Sequence, residues 1–434
     1  MGVSPPPGEG PALKVKLPYG NTSVSLCVPD DAVIIRAGDE APLADEEAAF
    51  QRAIRNPVGS VPLAEYLVRG AETCIVTSDK TRPTPNARLL PWILDVLSRA
   101  DIEHPTVLVG TGTHEGGSPQ EIRALVGEEA WRRCRVLVHD ARRREDLVLV
   151  GHTSSGTPVW VNRHYVSATN RLVVGFIEPH FFAGFSGGPK GVMPAVAGMD
   201  TILELHRPEL IAHPRTTWGV LDGNPVQEEI AEAALMAGKF FLVNVTLNRQ
   251  RCLTGIYAGD PIQAHRAGCE HAARSSLVEV EGWFDLVITS NAGYPLDQNL
   301  YQAVKGMSAA ASICRIGGSI LVVAACQAGL PAGGEFERML LAAEGPRQLL
   351  AEILAPGYRR PDSWEAQVMC QILVKHRLML YSELDPELVR RAFLEPVEDP
   401  DGAVASQLQS LGEGARVAVL VDGPLAVPVR RAGE

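Results

Sequence analysis

The sequence predicts an α/β protein built from two α/β domains with mainly parallel sheets. Short runs rich in Val, Ile and Leu alternate with helix-type segments along most of the chain, as in βαβ units whose sheet is covered on both faces. One domain takes roughly 100–200 residues, so from its length a chain of 434 residues is expected to form two or three. Hydrophobic residues at 46% and charged residues at 21% are typical of a globular protein with a buried core.

The predicted strands and helices follow one another in a regular order. We predict strands at residues 14–17, 23–28, 74–77, 106–109, 135–138, 172–176, 240–247, 285–289, 319–325 and 416–421. We predict helices at residues 45–56, 62–70, 86–100, 224–237, 260–273 and 298–314, and a hairpin over residues 145–161.

The order of these elements also suggests domain boundaries. From the N-terminus we expect a flexible tail (1–13), an N-terminal α/β domain (14–270), a linking segment with a helix (271–300), a C-terminal α/β domain (301–425) and a short tail (426–434). The first residues are rich in Pro and Gly, which favours a loose tail. Parallel sheets collect their functional loops at the carboxyl ends of the strands, so motifs found there carry more weight. We expect the active site in the cleft between the two domains.

Charge and cysteine content argue against several classes of partner. The formal net charge is −11, and the longest like-charge run, Arg142–Arg144, is followed at once by Glu145. Phosphate neutralisation needs clustered Lys and Arg, so we expect neither nucleic acid nor a membrane as a partner. The 8 cysteines form no CxxC pair, and neither a secretory signal nor a bilayer-length apolar run is visible. We therefore expect a reduced, cytoplasmic protein.

Polar segments directly follow two predicted strands of the first domain. Asp79 and Arg82 come after the strand at 74–77, and the planar guanidinium of Arg82 suits a carboxylate or a phosphate. His114 lies on a glycine-rich turn after the strand at 106–109, where backbone amides and an imidazole could converge on a small ligand. A helix-capping loop and a structural histidine are the alternatives for these two segments.

A third polar segment follows the strand at 172–176. Lys190 comes directly after the turn that contains Gly187 and Gly188, and His180 lies ten residues earlier. Glycine allows a close approach of the backbone to a ligand, and a sequestered lysine can be a covalent attachment point. His206 follows on a short predicted helix, and its imidazole suits Zn, Cu, Fe or Ni, although for this residue taken alone a partly exposed helix position is the favoured interpretation.

A fourth segment follows the predicted strand at 285–289. Gln302 and Lys305 are three residues apart, so on a helix they share a face and could grip one anion. A solvated helical face is the alternative. Four strand ends of one chain carry polar groups framed by glycines, and this coincidence favours a functional interpretation of all four segments.

The four segments, taken together, resemble the nickel-dependent lactate racemase family. The resemblance rests on SDKTRPTP, on GTGTHEGG, on EPHFFAGFSGGPKG with the downstream His206, and on PLDQNLYQAVKGM, and it spans about residues 14–425. It implies a nickel-pincer nucleotide (pyridinium-3,5-bisthiocarboxylic acid mononucleotide with Ni) linked to Lys190 through a thioamide. It also implies that His206 binds the nickel and that Asp79, Gly187 and Gly188 lie at the cofactor.

The resemblance implies an isomerase, a racemase or epimerase of 2-hydroxy acids. Hydride transfer through a 2-keto acid is the implied mechanism, with His114 and His180 as acid and base on opposite faces of the substrate. The residues implied in substrate binding are Arg82, Gln302, Lys305, Tyr301 and Trp364. Lactate or another short 2-hydroxy acid is the expected substrate, because Tyr301 and Trp364 could form a small, partly apolar pocket. The implied partners are this substrate, its 2-keto acid and the enzymes of cofactor biosynthesis, and the oligomeric state is left open.

Three alternatives remain at this point. The first is a racemase of malate or of a larger 2-hydroxy acid with the same mechanism. The second is a zinc hydrolase that uses His114, His180 and His206, although the sequence has no HExxH motif. The third is a non-catalytic protein that binds a nucleotide or another anion.

Overall fold

A computed structural model describes residues 12–331 and 333–431, and the chain divides into two compact units. The central unit is Asp39–Arg274. The flanking unit combines the chain up to Gly38 with the chain from Ser275 onward. The chain therefore begins in one unit, forms the whole of the other, and then returns.

Strands and helices alternate along most of the described chain. The strands are β1 (Ala12–Tyr19), β2 (Thr22–Pro29), β3 (Val33–Ile35), β4 (Thr73–Ser78), β5 (Thr106–Gly110), β6 (Arg135–Val138), β7 (Leu147–His152), β8 (Pro158–Asn162), β9 (Asn170–Phe176), β10 (Pro179–His180), β11 (Gly184–Phe185), β12 (Phe241–Leu247), β13 (Leu253–Gly259), β14 (Leu277–Val280), β15 (Phe284–Ser290), β16 (Cys314–Val323), β17 (Arg377–Tyr381), β18 (Glu395–Val397), β19 (Val417–Leu420) and β20 (Val427–Arg430). The helices are α1 (Glu46–Arg55), α2 (Leu63–Tyr66), α3 (Asn86–Ser98), α4 (Pro119–Val126), α5 (Glu128–Arg133), α6 (Arg163–Ser167), α7 (Met199–Leu205), α8 (Pro208–Ile211), α9 (Pro225–Met236), α10 (Gln263–Ser276), α11 (Leu300–Ala311), α12 (Glu335–Ala342), α13 (Pro346–Ile353), α14 (Ser363–Leu373), α15 (Pro386–Arg391) and α16 (Pro400–Leu411). Single turns of 3₁₀ helix lie at Arg144–Asp146, Gly188–Gly191 and Gly423–Leu425.

The central unit is built on a six-stranded sheet with the order β13-β12-β9-β4-β5-β6. All neighbouring strands are parallel except β12 and β13. One face of the sheet packs under α1, α3 and α4, with Ile75, Val107 and Leu172 in the shared core. The chain runs from β4 to β5 and β6 on one side and later returns to β9 on the other side of β4. The carboxyl ends of β4 and β9 therefore form the topological switch point of this sheet, the usual ligand position in such folds.

The flanking unit has a second six-stranded sheet, with the order β18-β17-β16-β15-β19-β3. All of its strand pairs are parallel. The hairpin of β1 and β2 contributes Val15, Leu17 and Leu26 to the core on one face of this sheet. The loop after β15 leads into α11, which therefore begins at the carboxyl edge of the sheet.

The predicted fold class, with two α/β domains and mainly parallel sheets, is confirmed. The predicted domain boundaries differ from the division in the structure. Residues 14–38 group with the flanking unit, because β3 pairs with β19 and the β1–β2 hairpin packs on its core. Residues 271–300, expected to link the domains, contain β14 and β15 of the flanking unit. The expected cleft location of the active site stays a prediction.

The predicted tails are only partly within the described residues. Residues 12 and 13 of the N-terminal tail belong to β1, and Val427–Arg430 of the C-terminal tail forms β20 beside β14. The rest of the N-terminal tail and residues 432–434 lie outside the described residues. All 8 cysteines lie within the described chain and none of them forms a disulfide. Within the same residues, no helix combines the length and the apolar character needed to cross a bilayer.

Candidate active site

The predicted site residues of the central unit follow neighbouring strands of its sheet. Asp79 and Arg82 come after β4, His114 after β5, and His180 and Lys190 after β9. The loop of His114 is joined to the Lys190 segment by a hydrogen bond from the Gly112 amide to the Ala195 carbonyl oxygen, 3.0 Å long. These side chains therefore gather at and beside the switch point, as their positions after strands predict.

Asp79 and His114 form a hydrogen-bonded pair. His114 Nδ1 lies 2.7 Å from Asp79 Oδ2, and the Asp79 side chain is only 4% exposed whereas that of His114 is 41% exposed. Thr81 Oγ1 donates to the other carboxylate oxygen over 2.6 Å. Burial by itself would raise the pKa of the Asp79 carboxyl, but the hydrogen bonds and charges of His114, Thr81 and Arg82 outweigh it and hold this pKa below its ordinary value.

This pairing defines what the His114 imidazole can do. An ionised carboxylate only accepts hydrogen bonds, so Nδ1 of His114 carries a proton and Nε2 carries the lone pair of the neutral ring. The buried partner orients the ring, as in the acid–base pairs of many enzymes. His114 is therefore arranged to accept a proton at Nε2.

Arg82 lies beside a carboxylate that the sequence analysis did not single out. Its Nη1 is 3.5 Å from Glu178 Oε1, and both side chains are largely but not fully buried. At this distance the two side chains form an ion pair but no short hydrogen bond. The guanidinium is thus oriented by Glu178, and its planar set of donors is chemically suited to an anion.

Lys190, His206 and His180 are grouped around the aromatic ring of Phe182. Lys190 Nζ lies 5.7 Å from the ring centroid, the His206 ring meets it edge-on at 5.4 Å, and the His180 ring meets it edge-on at 4.4 Å. The backbone of Phe182 is held by Asn224, whose amide donates to the Phe182 carbonyl oxygen over 2.9 Å. Three polar side chains of the segment from His180 to His206 are therefore brought together by one ring.

His206 is buried and neutral. Burial and the nearby charge of Lys190 lower its pKa to about 3, against the opposing effect of its hydrogen bond to the Ile202 carbonyl oxygen. That bond, 2.8 Å long, uses Nδ1, and because a carbonyl oxygen only accepts, Nδ1 carries the proton and Nε2 the lone pair. A neutral imidazole fixed in this way by its other nitrogen is the form that binds metal ions.

The residue after His206 is anchored by a buried ion pair. Arg207 Nη2 lies 2.8 Å from Glu229 Oε2, and Ser155 and Thr157 donate to the same carboxylate from the β7–β8 turn. Burial alone would raise the pKa of Glu229, but these donors lower it below its ordinary value. The end of α7, and with it His206, is therefore attached to two neighbouring elements.

His180 is buried in the short β10–β11 hairpin. Its Nδ1 accepts from the backbone amides of Phe182 and Ala183, at 3.4 and 3.3 Å, and its ring stacks on Phe181 at 5.2 Å. With Nδ1 as an acceptor, the neutral ring carries its proton on Nε2. His180 and His114 are thus in opposite tautomers, so that Nε2 of His180 can donate a hydrogen bond and Nε2 of His114 can accept one.

The glycines before Lys190 are required by the packing beneath them. Gly187 and Gly188 have φ of +79° and +56°, which a residue with a side chain rarely adopts. A Cβ on Gly187 would lie 2.6 Å from Asn244 Oδ1, and one on Gly188 would lie 2.4 Å from His265 Cγ. The close approach at these two glycines is therefore made by protein side chains, and their predicted contact with a cofactor stays a prediction.

The remaining predicted residues lie in the flanking unit and form two pairs. Lys305 Nζ donates to Gln302 Oε1 over 2.7 Å on one face of α11, and Trp364 Nε1 donates to the Tyr301 hydroxyl over 3.1 Å. With the Gln302 oxygen engaged as an acceptor, the pair presents ammonium and amide donors, which suits an anion. The predicted sharing of a helical face by Gln302 and Lys305 is confirmed.

Several residues of these sites were not identified from the sequence alone. Phe182 and Glu178 lie in the same sequence segment as His180 and Lys190. Their closeness to these residues along the chain was the only feature of the sequence that could have identified them. Asp297 precedes α11 and is fully buried, with Oδ2 accepting from the amides of Gly20 and Ala325. No local pattern distinguishes such an aspartate from a loop residue.

Among residues 12–331 and 333–431, no three His, Cys, Asp or Glu side chains lie together in a way that could hold a metal ion. The zinc-hydrolase alternative needs such a group of ligands, and the described residues do not favour it. A metal bound to His206 would have to take its other donors from a cofactor or from solvent.

Comparisons with known proteins agree with this geometry. The lactate racemase N-terminal domain matches residues 19–219, and the lactate racemase C-terminal domain matches residues 281–429. The lactate racemase of Thermoanaerobacterium thermosaccharolyticum is 35% identical over 418 residues, which cover 94% of this chain and 97% of that protein. The chain belongs to the lactate racemase family. The family member from Lactiplantibacillus plantarum is 34% identical over 421 residues, covering 95% of this chain and 98% of its own.

Solved structures support the same assignment. The apoprotein structure of lactate racemase from Thermoanaerobacterium thermosaccharolyticum superimposes with a TM-score of 0.90 at 34% identity, covering 96% of this chain and 100% of that one. A Thermotoga maritima protein shares the fold alone, with a TM-score of 0.67 at 16% identity, covering 91% of this chain and 100% of its own. As a member of the lactate racemase family, the chain is an isomerase, and the expectation of an isomerase is confirmed.

Proposed function

We propose that this protein interconverts the two enantiomers of lactate or of another short 2-hydroxy acid. The observation that carries the proposal is the grouping of Lys190, His206 and His180 around Phe182, in a chain whose relatives are lactate racemases. Lysine provides an attachment point for a cofactor, a neutral buried imidazole provides a metal ligand, and a second imidazole provides an acid–base group.

The residues fit a nickel-pincer nucleotide attached to Lys190. The amine of Lys190 would condense with one thiocarboxylic acid group of the nucleotide, losing water and forming a thioamide, and Nε2 of His206 would bind the nickel. A pincer that supplies most of the metal's donors requires only one protein ligand, in agreement with the neutral, buried imidazole of His206 and with the absence of a three-ligand group among the described residues. When bound, this nucleotide would supply a reversible acceptor for the hydrogen on C2, so that the substrate becomes a planar 2-keto acid.

The chain itself handles the hydroxyl proton. Nε2 of His114, with Asp79 behind the ring, would accept this proton from one enantiomer and form an imidazolium, and a protonated His180 would supply the proton that the opposite face requires. The other enantiomer presents its hydroxyl to the opposite face, so the two imidazoles exchange roles. Two bases are therefore needed for a reaction that runs in both directions.

Cationic side chains would hold the substrate. Arg82 would bind the carboxylate with the planar donor face that Glu178 orients, and Lys305 with Gln302 would add donors to the carboxylate or the carbonyl oxygen. Tyr301 and Trp364, joined by a hydrogen bond, would contact the short side chain of the substrate. A substrate with one negative charge and a small side chain satisfies this set.

The test is production of the protein together with cofactor-biosynthesis enzymes, followed by peptide mass analysis, nickel analysis and a chiral lactate assay. We expect racemisation, stoichiometric nickel and an added mass on the peptide that contains Lys190. Lys190→Ala should abolish both the mass and the activity, whereas Lys239→Ala, at an exposed lysine of the same unit, should change neither. Active enzyme with an unmodified Lys190 peptide would refute the proposal. A panel of single-enantiomer 2-hydroxy acids, including malate and longer members, would identify the substrate.

A further inference from the structure

We infer that Asn244 and His265 are positioning residues that hold the Lys190 turn in the conformation required for cofactor attachment. The turn is the segment Gly187–Gly191, in which the Lys190 amide donates to the Gly187 carbonyl oxygen over 3.1 Å. For its consequence the inference rests on the proposed attachment of the cofactor to Lys190. Neither residue belongs to the motifs that carry the family resemblance, and neither touches Lys190 itself through the contacts described below.

Asn244 connects the turn to the central sheet. It lies in β12, is completely buried, and accepts at Oδ1 from the Gly188 amide over 2.6 Å. Its own amide donates to the Val243 carbonyl oxygen over 3.2 Å. On the neighbouring strand Gly175 pairs with Asn244, and a Cβ on Gly175 would lie 2.9 Å from Nδ2. Because Gly175 on β9 has no side chain, there is room for the Asn244 side chain of β12 to reach the turn.

His265 supports the turn from α10. Its ring lies against Gly188, so that a Cβ there would be 2.4, 2.6 and 2.8 Å from three atoms of the ring. Nε2 donates to the Ser186 carbonyl oxygen over 2.8 Å, with Cys269 Sγ at 3.2 Å from the same nitrogen. The residue is 3% exposed. The ring of His265 covers Gly188 in the turn, and its hydrogen bond holds Ser186, the residue just before the turn. His265 therefore restrains the turn from the side of α10.

A third contact completes the support. A Cβ on Gly191 would lie 2.4 Å from Val173 Cγ1 of β9. The turn therefore rests on two strands and one helix through three glycines, each in close contact with one buried side chain. These contacts fix the backbone of the turn and therefore the point and direction at which the Lys190 side chain begins. Reaction of its amine with a cofactor depends on that geometry.

The first experiment measures the turn directly in the protein without cofactor. Hydrogen–deuterium exchange of the peptide that contains Gly188 is compared in wild type, Asn244→Ala and Thr246→Val. Thr246 is the matched control, because it is buried on the same strand two residues further on and its hydroxyl hydrogen-bonds Thr254 at 2.8 Å. We expect exchange at the turn to rise about tenfold in Asn244→Ala, the change for one lost hydrogen bond in a buried site, and to stay unchanged in the control.

The second experiment measures attachment. The same variants and His265→Gln are produced with cofactor-biosynthesis enzymes, and the fraction of Lys190 that carries the added mass is determined. We expect this fraction to fall by about tenfold or more in Asn244→Ala and His265→Gln, as when groups that orient a ligand residue are removed. Thr246→Val should be loaded like wild type. Thermal unfolding of all variants measures their loss of stability. Thr246→Val is the reference for the effect of lost stability on loading, and the losses of loading in Asn244→Ala and His265→Gln are compared with it.

The outcomes separate this inference from the proposed function. Unchanged exchange at the turn in Asn244→Ala would overturn the inference, and so would normal loading of both variants when the wild type is loaded. Active wild-type enzyme without added mass on Lys190 would instead refute the proposed function. It would also refute the claim that the conformation of the turn is required for cofactor attachment. If Asn244→Ala does not fold, loading of His265→Gln still decides the inference, because this variant keeps the Asn244 side chain and its hydrogen bond to the turn.

Discussion

At the scale of single residues, the protonation states of a few buried side chains determine the chemistry of the candidate site. The His114 ring is oriented by the ionised Asp79, and the His206 ring is kept neutral by burial and by Lys190. In both rings the bond made by Nδ1 leaves a lone pair on Nε2. One ring is partly exposed and suited to proton transfer, whereas the other is buried and suited to a metal.

Asp79→Asn should lower kcat by about 100-fold or more with little change in KM, because an amide can turn its N–H toward His114 Nδ1 and favour the wrong tautomer. Racemisation rates of the cofactor-loaded enzyme, measured from each enantiomer, check this expectation. Asp95→Asn is the control, since Asp95 is an exposed carboxylate of the same unit paired with Arg133. An Asp79→Asn enzyme with wild-type kcat in both directions would mean that the pair does not take part in proton transfer.

At the scale of structural elements, the Lys190 turn depends on contacts with elements distant in the sequence. Three of its glycines pack against Asn244 on β12, His265 on α10 and Val173 on β9. The glycines themselves are visible in the sequence, but the side chains that require them are not. A glycine-rich turn therefore predicts a close approach without identifying what approaches.

Gly188→Ala should destabilise the central unit by about 3 kcal/mol or more, because it adds a steric clash with the His265 ring to the strain of a left-handed φ. Gly70→Ala separates the two effects, since Gly70 has a φ of +65° with nothing within 4 Å of its Cβ position. That control should cost only about 1 kcal/mol. Urea unfolding of the three proteins measures the difference, and equal losses for both substitutions would contradict the packing against His265.

At the scale of the whole molecule, buried neutral histidines connect folding to pH. Burial and the charge of Arg266 lower the pKa of His265 to about 4 from an ordinary value near 6.5, against the opposing hydrogen bond to Ser186. The unfolded chain therefore binds more protons than the folded one between these two pH values, and the free energy of unfolding falls as the pH drops through this range. Above the ordinary value this contribution to stability is fully present.

The free energy of unfolding of the wild type should therefore decrease between pH 7 and pH 5, and His265→Gln should show a smaller decrease, since glutamine does not titrate. Urea unfolding at the two pH values provides the measurement, and both proteins are compared without cofactor. Arg266 and Cys269, the charged and titratable groups beside the ring on α10, are retained in the variant. An equally steep pH dependence in both proteins would show that other groups are responsible.

How much could be predicted from the sequence depends on the range of the interactions involved. The βαβ alternation and the shared helical face of Gln302 and Lys305 come from local periodicity, and both expectations are confirmed. The antiparallel edge strand β13 was missed, because its two glycines, Gly255 and Gly259, weaken the apolar pattern. The predicted place of residues 14–38 differs from the division in the structure, because the pairing of β3 with β19 joins segments that are nearly the whole chain apart.

The sequence by itself determined the fold class, the family and the segments that bear chemical groups, because these follow from local patterns and short motifs. Only the tertiary structure decided which side chains meet. It showed that Phe182 gathers Lys190, His206 and His180, and that Asn244 and His265 lie beneath the Lys190 turn. The physical reason is that burial, tautomer and van der Waals contact depend on neighbours from other strands and helices, whose distances are set by packing and leave no mark in any one segment.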